Sequence, residues 1–168
     1  MPTARFLCLV AGALLAPGCA YTTGTGLPST VTNISIPTIG NRTTQYTLSQ
    51  EVTDAVVSKF QSGGQLRLAG SRREATSILT GAVTDYKNAI FGIGSAQQAQ
   101  EYELSIKLEL QFKDLVKNRD LWKDEINMKL NYSTQASAGK PASSETEARQ
   151  ELVRRVADEV YARTVSRW

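Results

Sequence analysis

The hydrophobic pattern is most regular between Glu101 and Phe112. Tyr102, Leu104, Ile106, Leu108, Leu110 and Phe112 alternate with Glu101, Glu103, Ser105, Lys107, Glu109 and Gln111. A period of two sends the sets to opposite faces, so this is a strand with one buried and one wet face. Ile126, Met128, Leu130 and Tyr132 repeat the pattern against Glu125, Asn127, Lys129 and Asn131. LVKNRDLW lies between the two runs and turns the chain, which predicts an antiparallel pair. Upstream, VTNISI at 31–36 is alternating and β-branched and is stopped by Pro37, and TSILTGAVTDY at 76–86 is strand-like. Residues 65–69 supply an optional short strand.

Two segments follow a helical period instead. Leu48, Val52, Ala55, Val56 and Phe60 share one stripe, behind a Thr47-to-Gln50 capping box and ahead of Gly63-Gly64. Ala148, Leu152, Val153, Val156, Val160 and Val165 share another, behind a second capping box from Ser144 to Glu147. The order is β-α-β-β-β-α. Sheets with one apolar face and helices with one apolar stripe bury most by packing together. The expected fold is α+β: a two-layer sandwich of a mostly antiparallel four-stranded sheet with two helices on one face. The other sheet face is left polar.

The first residues break this picture. Phe6 to Ala16 is an unbroken apolar run behind Arg5, ended by Pro17-Gly18 and Cys19. Its length fits the apolar region of a signal peptide, roughly 7–15 residues, and not a membrane span of about 20. The expected division is a signal peptide over 1–18, a lipidated N-terminus and Gly/Thr-rich tether over 19–30, and one α+β domain over 31–168. Cleavage before Cys19 removes Cys8 and leaves a single, terminal cysteine, which cannot form an internal disulfide. The segment resembles the lipobox of bacterial lipoproteins, although Ala16 stands where that motif carries Leu. The resemblance implies a diacylglyceryl group and an N-acyl chain such as palmitate on Cys19. Several acyl chains make a stable anchor where one is marginal. The other reading is an ordinary secretory signal with Cys19 incidental.

Composition narrows the chemistry. The chain has 168 residues, 41% hydrophobic and 21% charged, with a net charge of +3. That is a globular balance, and it gives no reason to expect a nucleic-acid partner. There is no histidine, hence no Ser-His-Asp or Cys-His pair and no imidazole metal site. No phosphate-binding glycine motif precedes a helix. We expect no enzyme activity and no cofactor or metal, and look for binding instead.

Three patches are candidates, one of them the polar sheet face, which could pack against a larger wet partner, although nothing in the pattern alone says so. Ile90, Phe91 and Ile93 form an apolar run in an expected hairpin loop, where exposure would mark a partner or lipid contact; alternatively, Ile90 and Phe91 extend the strand and tuck into the core. Lys113, Lys117, Arg119 and Lys123 cluster around the other hairpin turn, where cations can meet phosphates or carboxylates; alternatively, this is a solvated turn, since Asp114, Asp120 and Asp124 dilute the charge.

The ordered set has a likeness. A lipobox Cys, an extended stretch ending in Ile36-Pro37, then Gly40-Asn41-Arg42-Thr43, the helix LSQEVTDAVVSKF, the run RREATSILTGAVTDY, two long strands with Leu121-Trp122 after their turn, and a helix rich in Ala, Arg and Val follow one another. This resembles the LPS-assembly lipoprotein (LptE) family. The resemblance implies an outer-membrane lipoprotein of a Gram-negative bacterium. It would plug an LptD-type β-barrel, assist lipopolysaccharide insertion and bind lipopolysaccharide. Only Cys19 carries over motif to motif; the basic hairpin residues are candidates by chemistry alone. A competing class is a periplasm-facing lipoprotein that binds another envelope partner or a soluble ligand.

Overall fold

A computed structural model describes residues 26–93, 99–136 and 141–166. The expected signal peptide, residues 1–18, and Cys19 lie outside the described residues. The elements in chain order are β1 (Asn33–Ser35), β2 (Gly40–Asn41), α1 (Leu48–Gly63), β3 (Arg67–Leu68), β4 (Ser77–Ile93), β5 (Ala99–Asp114), β6 (Arg119–Ser133) and α2 (Glu145–Val165). The architecture is α+β, with two helices on one face of the sheet.

The sheet corrects the expected count and direction. It has six strands in the order β3-β1-β4-β5-β6, with β2 also on β4. Only β4-β5-β6 is antiparallel; β1 pairs parallel with both β3 and β4, and β2 pairs parallel with β4. Parallel pairing follows from the crossover: the chain leaves β1, passes through α1 and returns as β3 beside it. Strands of two or three residues show no alternation, so periodicity alone passes over β2 and leaves β3 optional.

The three long strands form a meander. On β5, Leu104, Ile106, Leu108, Leu110 and Phe112 are buried, and they stand opposite Leu130, Met128, Ile126, Asp124 and Trp122 of β6. The alternation is therefore realised as predicted. On β4 it changes phase. Leu79 and Val83 face inward opposite Phe112 and Leu108; the register then shifts between Val83 and Asp85, and Tyr86 and Asn88 face inward opposite Ile106 and Leu104. Thr84 is the extra residue of a β-bulge, which flips the inward set from odd to even positions. Gly81 sits where a Cβ would overlap the Glu109 carbonyl oxygen and the Leu110 side chain. β4 and β5 approach that closely only because position 81 has no side chain.

The helices run parallel to each other over the sheet. Arg149 pairs with Glu51 at 3.0 Å and Lys59 with Asp158 at 2.6 Å, and the Phe60 and Tyr161 rings meet edge to face at 5.1 Å. Leu48, Val52, Val56 and Phe60 of α1 and Leu152, Val156 and Val160 of α2 share one buried cluster with the inward face of β5. The N-terminus of α2 carries the expected capping box: the Ser144 hydroxyl accepts from the Glu147 amide, and the Glu147 carboxylate accepts from the Ser144 amide. The box expected at Thr47 does not form. Thr47 already has helical dihedrals and makes no side-chain cap bond. The chain enters α1 from a turn in which Asn41 accepts from Thr43 and donates to the Gln45 carbonyl, and that turn winds residue 47 into the helix. At the other end Gly64, at φ 69°, closes α1 in the left-handed conformation that favours glycine.

Candidate functional site

The hairpin between β5 and β6 is organised by one carboxylate. Asp114 is fully buried, and it accepts hydrogen bonds from the Thr30 hydroxyl at 2.8 Å and from the Val116 and Lys117 amides at 2.9 and 3.0 Å. Burial pushes its pKa up, but the Lys117 amide, the Thr30 hydroxyl and the Val116 amide outweigh burial and hold it below the ordinary carboxylate value. Asn118, at φ 48°, completes the turn in a region that asparagine tolerates. The result is a rigid tip that displays Val116 and Lys117 to solvent.

The candidate cations divide by position. Lys117 and Arg119 are exposed at the tip, whereas Lys113 and Lys123 lie on the outer sheet face. Lys123 stands opposite Gln111 and so is a diagonal neighbour of Lys113. The strand order also brings in residues that sequence reasoning missed. The Leu115 amide donates to the Thr76 carbonyl at 2.9 Å, so the turn that carries Arg72 and Arg73 lies beside the hairpin tip. Arg67 stands opposite Asn33 in the same end row of the sheet. The only trace in the sequence was the RR pair at 72–73, and nothing in a linear reading puts it next to residue 115.

The cations of this end differ from the others in one respect. Lys107, Lys129, Arg42, Arg149, Arg154 and Arg163 all pair with carboxylates. Arg67, Arg72, Arg73, Lys113, Lys117 and Lys123 form no ion pair with any described carboxylate. Arg119 acts on Asp114 only at longer range. Of the three aspartates of this hairpin, Asp120 stays exposed opposite Lys113 and still dilutes the charge. Asp114 is buried and satisfied, and Asp124 is turned to the helix side, where it binds Arg163 at 2.6 Å.

The apolar patch lies at the opposite end of the long strands. Ile90 and Phe91 belong to β4 and not to a loop, which corrects the expected hairpin boundary. They nevertheless remain 62% and 59% exposed, so extension of the strand does not take them into the core. Ile93 is the last residue of β4. Beside this end, the start of α2 is pinned to the sheet. The Tyr86 hydroxyl donates to Glu145 at 2.7 Å, and the Asn88 amide donates to both Glu145 and the Tyr132 hydroxyl. Burial first, and the Glu145 carboxylate second, push the Tyr86 pKa up to about 12. An open cleft of about 400 Å³ lies between α2 and β6, lined by Phe91, Glu101, Leu130, Tyr132, Glu147 and Glu151.

The outer sheet face is the third surface. It carries Thr80, Ala82, Glu103, Ser105, Lys107, Glu109, Gln111, Glu125, Asn127 and Lys129, and no described element covers it. Its charges pair across strands, as in Lys129 with Glu103 at 2.8 Å and Lys107 with Glu125 at 3.7 Å. Among the described residues no group of three His, Cys, Asp or Glu could hold a metal ion, and no helix is long and apolar enough to cross a membrane.

The model of the LptE family, described as lipopolysaccharide-assembly, matches residues 31–164. The chain belongs to the LptE family. The match runs from two residues before β1 to the last residue but one of α2, so the whole sheet, α1 and nearly all of α2 fall within the LptE region. Solved structures share this fold at low identity. The rare lipoprotein B of Shewanella oneidensis is 12% identical with a TM-score of 0.53, covering 79% of this chain and 95% of that one. A hypothetical protein of Chlamydia trachomatis is 10% identical with a TM-score of 0.58, covering 80% and 95%. A putative lipoprotein of Caulobacter crescentus is 14% identical with a TM-score of 0.50, covering 80% and 89%. At such identities the likeness establishes the fold alone. No curated protein matches the sequence.

Proposed function

We propose that this LptE-family chain is an outer-membrane lipoprotein, anchored through acylated Cys19 after removal of residues 1–18. It plugs an LptD-type β-barrel and assists the insertion of lipopolysaccharide. The observation that supports the plug reading best is the outer face of β4-β5-β6. It is long, polar and uncovered, and over its middle the charges pair across strands, as Lys107 does with Glu125 and Lys129 with Glu103. Such a face suits the wet, polar interior of a barrel better than a dry interface between proteins. Ile90, Phe91 and Ile93, at the far end of the hairpin, are the proposed apolar contact with the barrel.

Lys113, Lys117, Arg119 and Lys123 are the proposed lipopolysaccharide contacts. Phosphates and sugar acids would meet them as charge-assisted pairs, and no described carboxylate forms an ion pair with any of the four.

The first test is recovery of the tagged protein from detergent-solubilised outer membrane. A stoichiometric barrel protein is expected with it; recovery of a free monomer alone would overturn the plug. The binding site is tested by Lys117→Glu with Arg119→Glu, which should weaken lipopolysaccharide binding in a fold of unchanged stability. A second reading, a lipoprotein that binds a soluble ligand without a barrel, is favoured by the cleft beside Phe91. It predicts that the chain is recovered with no barrel protein, and that a bulky residue at Asn131, exposed on the cleft wall, weakens ligand binding.

A further inference from the structure

The sheet ends in β6, which pairs with β5 and with no other described strand. It is 15 residues long and holds no proline. The ladder shows which of its backbone groups face the free side. The Ser133 carbonyl accepts from the Ser143 amide, and the Glu125 amide donates to the Asp124 side chain, so β5 uses neither group. On β5 the Lys107 carbonyl accepts from the Thr84 hydroxyl of β4, and Lys107 stands opposite Asn127. In an antiparallel pair, backbone groups that point away from the partner recur at every second residue. The amides and carbonyls of Asn127, Lys129 and Asn131 therefore face the free side, and no described residue bonds them there. The two ends of this edge differ. At one end Asp124 points inward to Arg163, and its carboxylate also closes the Glu125 amide; an inward charge is a common guard against added strands. At the other end, from Asn127 to Asn131, the edge has no bulge and no inward charge, and Lys129 is held on the outer face by Glu103 at 2.8 Å.

We infer that this edge takes up an extended segment of the protein partner as a further strand beside β6. The inference rests on and deepens the barrel part of the proposed function, and does not involve lipopolysaccharide. A closed barrel wall has no strand edge of its own to offer, so the segment is a loop or terminus of the barrel protein that reaches into the lumen. Its main chain pairs with Asn127, Lys129 and Asn131, the usual mode of strand addition. Its side chains alternate between the two faces. One set falls on the inner side, beside Met128 and Leu130, which are only partly buried at the rim of the core. There it meets the cleft of about 400 Å³ that Leu130 and Tyr132 share with Phe91 and the start of α2. The other set continues the polar outer face. The cleft also selects by charge. Glu101, Glu147 and Glu151 line it, with no described Lys or Arg. Glu151 is neutralised by Arg154 and Arg155. Glu147 accepts only from the uncharged Ser143 and Ser144, and Glu101 has no ion pair among the described residues. The segment that fits is therefore apolar at alternate positions and carries a Lys or Arg where it enters the cleft. A side chain that fills the cleft also shields the exposed Phe91 ring.

The test reads amide exchange at single residues. In the full chain carrying Cys19→Ser, alone in buffer, the Asn127, Lys129 and Asn131 amides should exchange fast, while those of Met128 and Leu130, bonded to β5, stay slow. In the complex recovered from detergent-solubilised outer membrane, the first three should slow at least about tenfold, with Met128 and Leu130 unchanged. Asn127→Pro removes an edge donor without touching the β5 ladder. It should lower barrel recovery at least about tenfold, whereas Asn127→Ala, which keeps the amide, should leave it within about twofold, both at an unchanged unfolding midpoint. A complex in which the three amides stay fast, or equal loss in the two variants, would overturn the proposal. If Asn127→Pro lowers the unfolding midpoint, Glu101→Lys on the exposed cleft wall replaces it and should lower recovery at least about threefold; unchanged recovery would overturn the charge match. If the wild type brings no barrel protein, the barrel reading fails and a peptide decides the strand site by itself. The probe is an N-acetylated peptide of about nine residues in which valine alternates with lysine and threonine, and its binding to the Cys19→Ser chain is read by fluorescence anisotropy. Saturable binding that is lost with Asn127→Pro and kept with Asn127→Ala would uphold the site for a partner other than a barrel. No binding, or equal binding to all three chains, would overturn it.

Discussion

The Thr30 hydroxyl donates to the Asp114 carboxylate at 2.8 Å across 84 positions of sequence. This bond ties the start of the folded chain to the tip of the β5–β6 hairpin. The same carboxylate also holds the turn amides that display Lys117, so the geometry of the basic end depends on one buried acid.

Asp114→Asn should destabilise the fold by about 1.5–3 kcal/mol, the range for hydrogen bonds to a charged group. The native carboxyl has a lowered pKa, so its stabilising effect is full above the unfolded value of about 3.9 and is lost as pH falls through the lower folded value. Urea midpoints of the wild type and Asp114→Asn should therefore differ at pH 7 and converge on acidification below about pH 4. A constant gap across that range would mean that packing, not charge, supplies the effect.

Gly81→Ala should cost at least about 1–3 kcal/mol, the usual penalty of overpacking. The obstructing atom is the backbone oxygen of Glu109, which cannot move without disturbing the β4–β5 ladder. A lowered thermal midpoint with retained helical dichroism is the expected result; no change would show that the strands can separate freely there.

The two helix starts should respond differently. Ser144→Ala removes a formed capping box and should cost about 1 kcal/mol. Thr47→Ala removes a hydroxyl that makes no cap bond and should stay within about 0.5 kcal/mol. Paired denaturation curves decide this, and equal losses would contradict the observed geometry.

Phe91→Ser should leave the unfolding midpoint within about 0.5 kcal/mol, because the ring is already 59% exposed. If Phe91 is a barrel contact, the same variant should lower the amount of barrel protein recovered with the chain. A large loss of stability would instead make Phe91 part of the structural core.

The sequence by itself determined the elements whose physics is local. The alternation of β5 and β6, the stripe Leu48-Val52-Val56-Phe60 and the capping box at Ser144 each depend on neighbours a few positions apart, and all appear as read. The family likeness was legible for the same reason, since it rests on elements in order. Tertiary structure alone decided the rest. Ile90 and Phe91 lie in a strand yet stay exposed, because the end of the hairpin reaches past the cover of the helices. The β4 strand reads as irregular until the bulge at Thr84 resets its phase against β5. β1 is parallel because α1 carries the chain across the sheet, and a three-residue strand holds no record of its own direction. Arg67, Arg72 and Arg73 join Lys117 and Arg119 only through strand order. Charge acts through space, and residues more than 40 positions apart share a surface only once the sheet has formed.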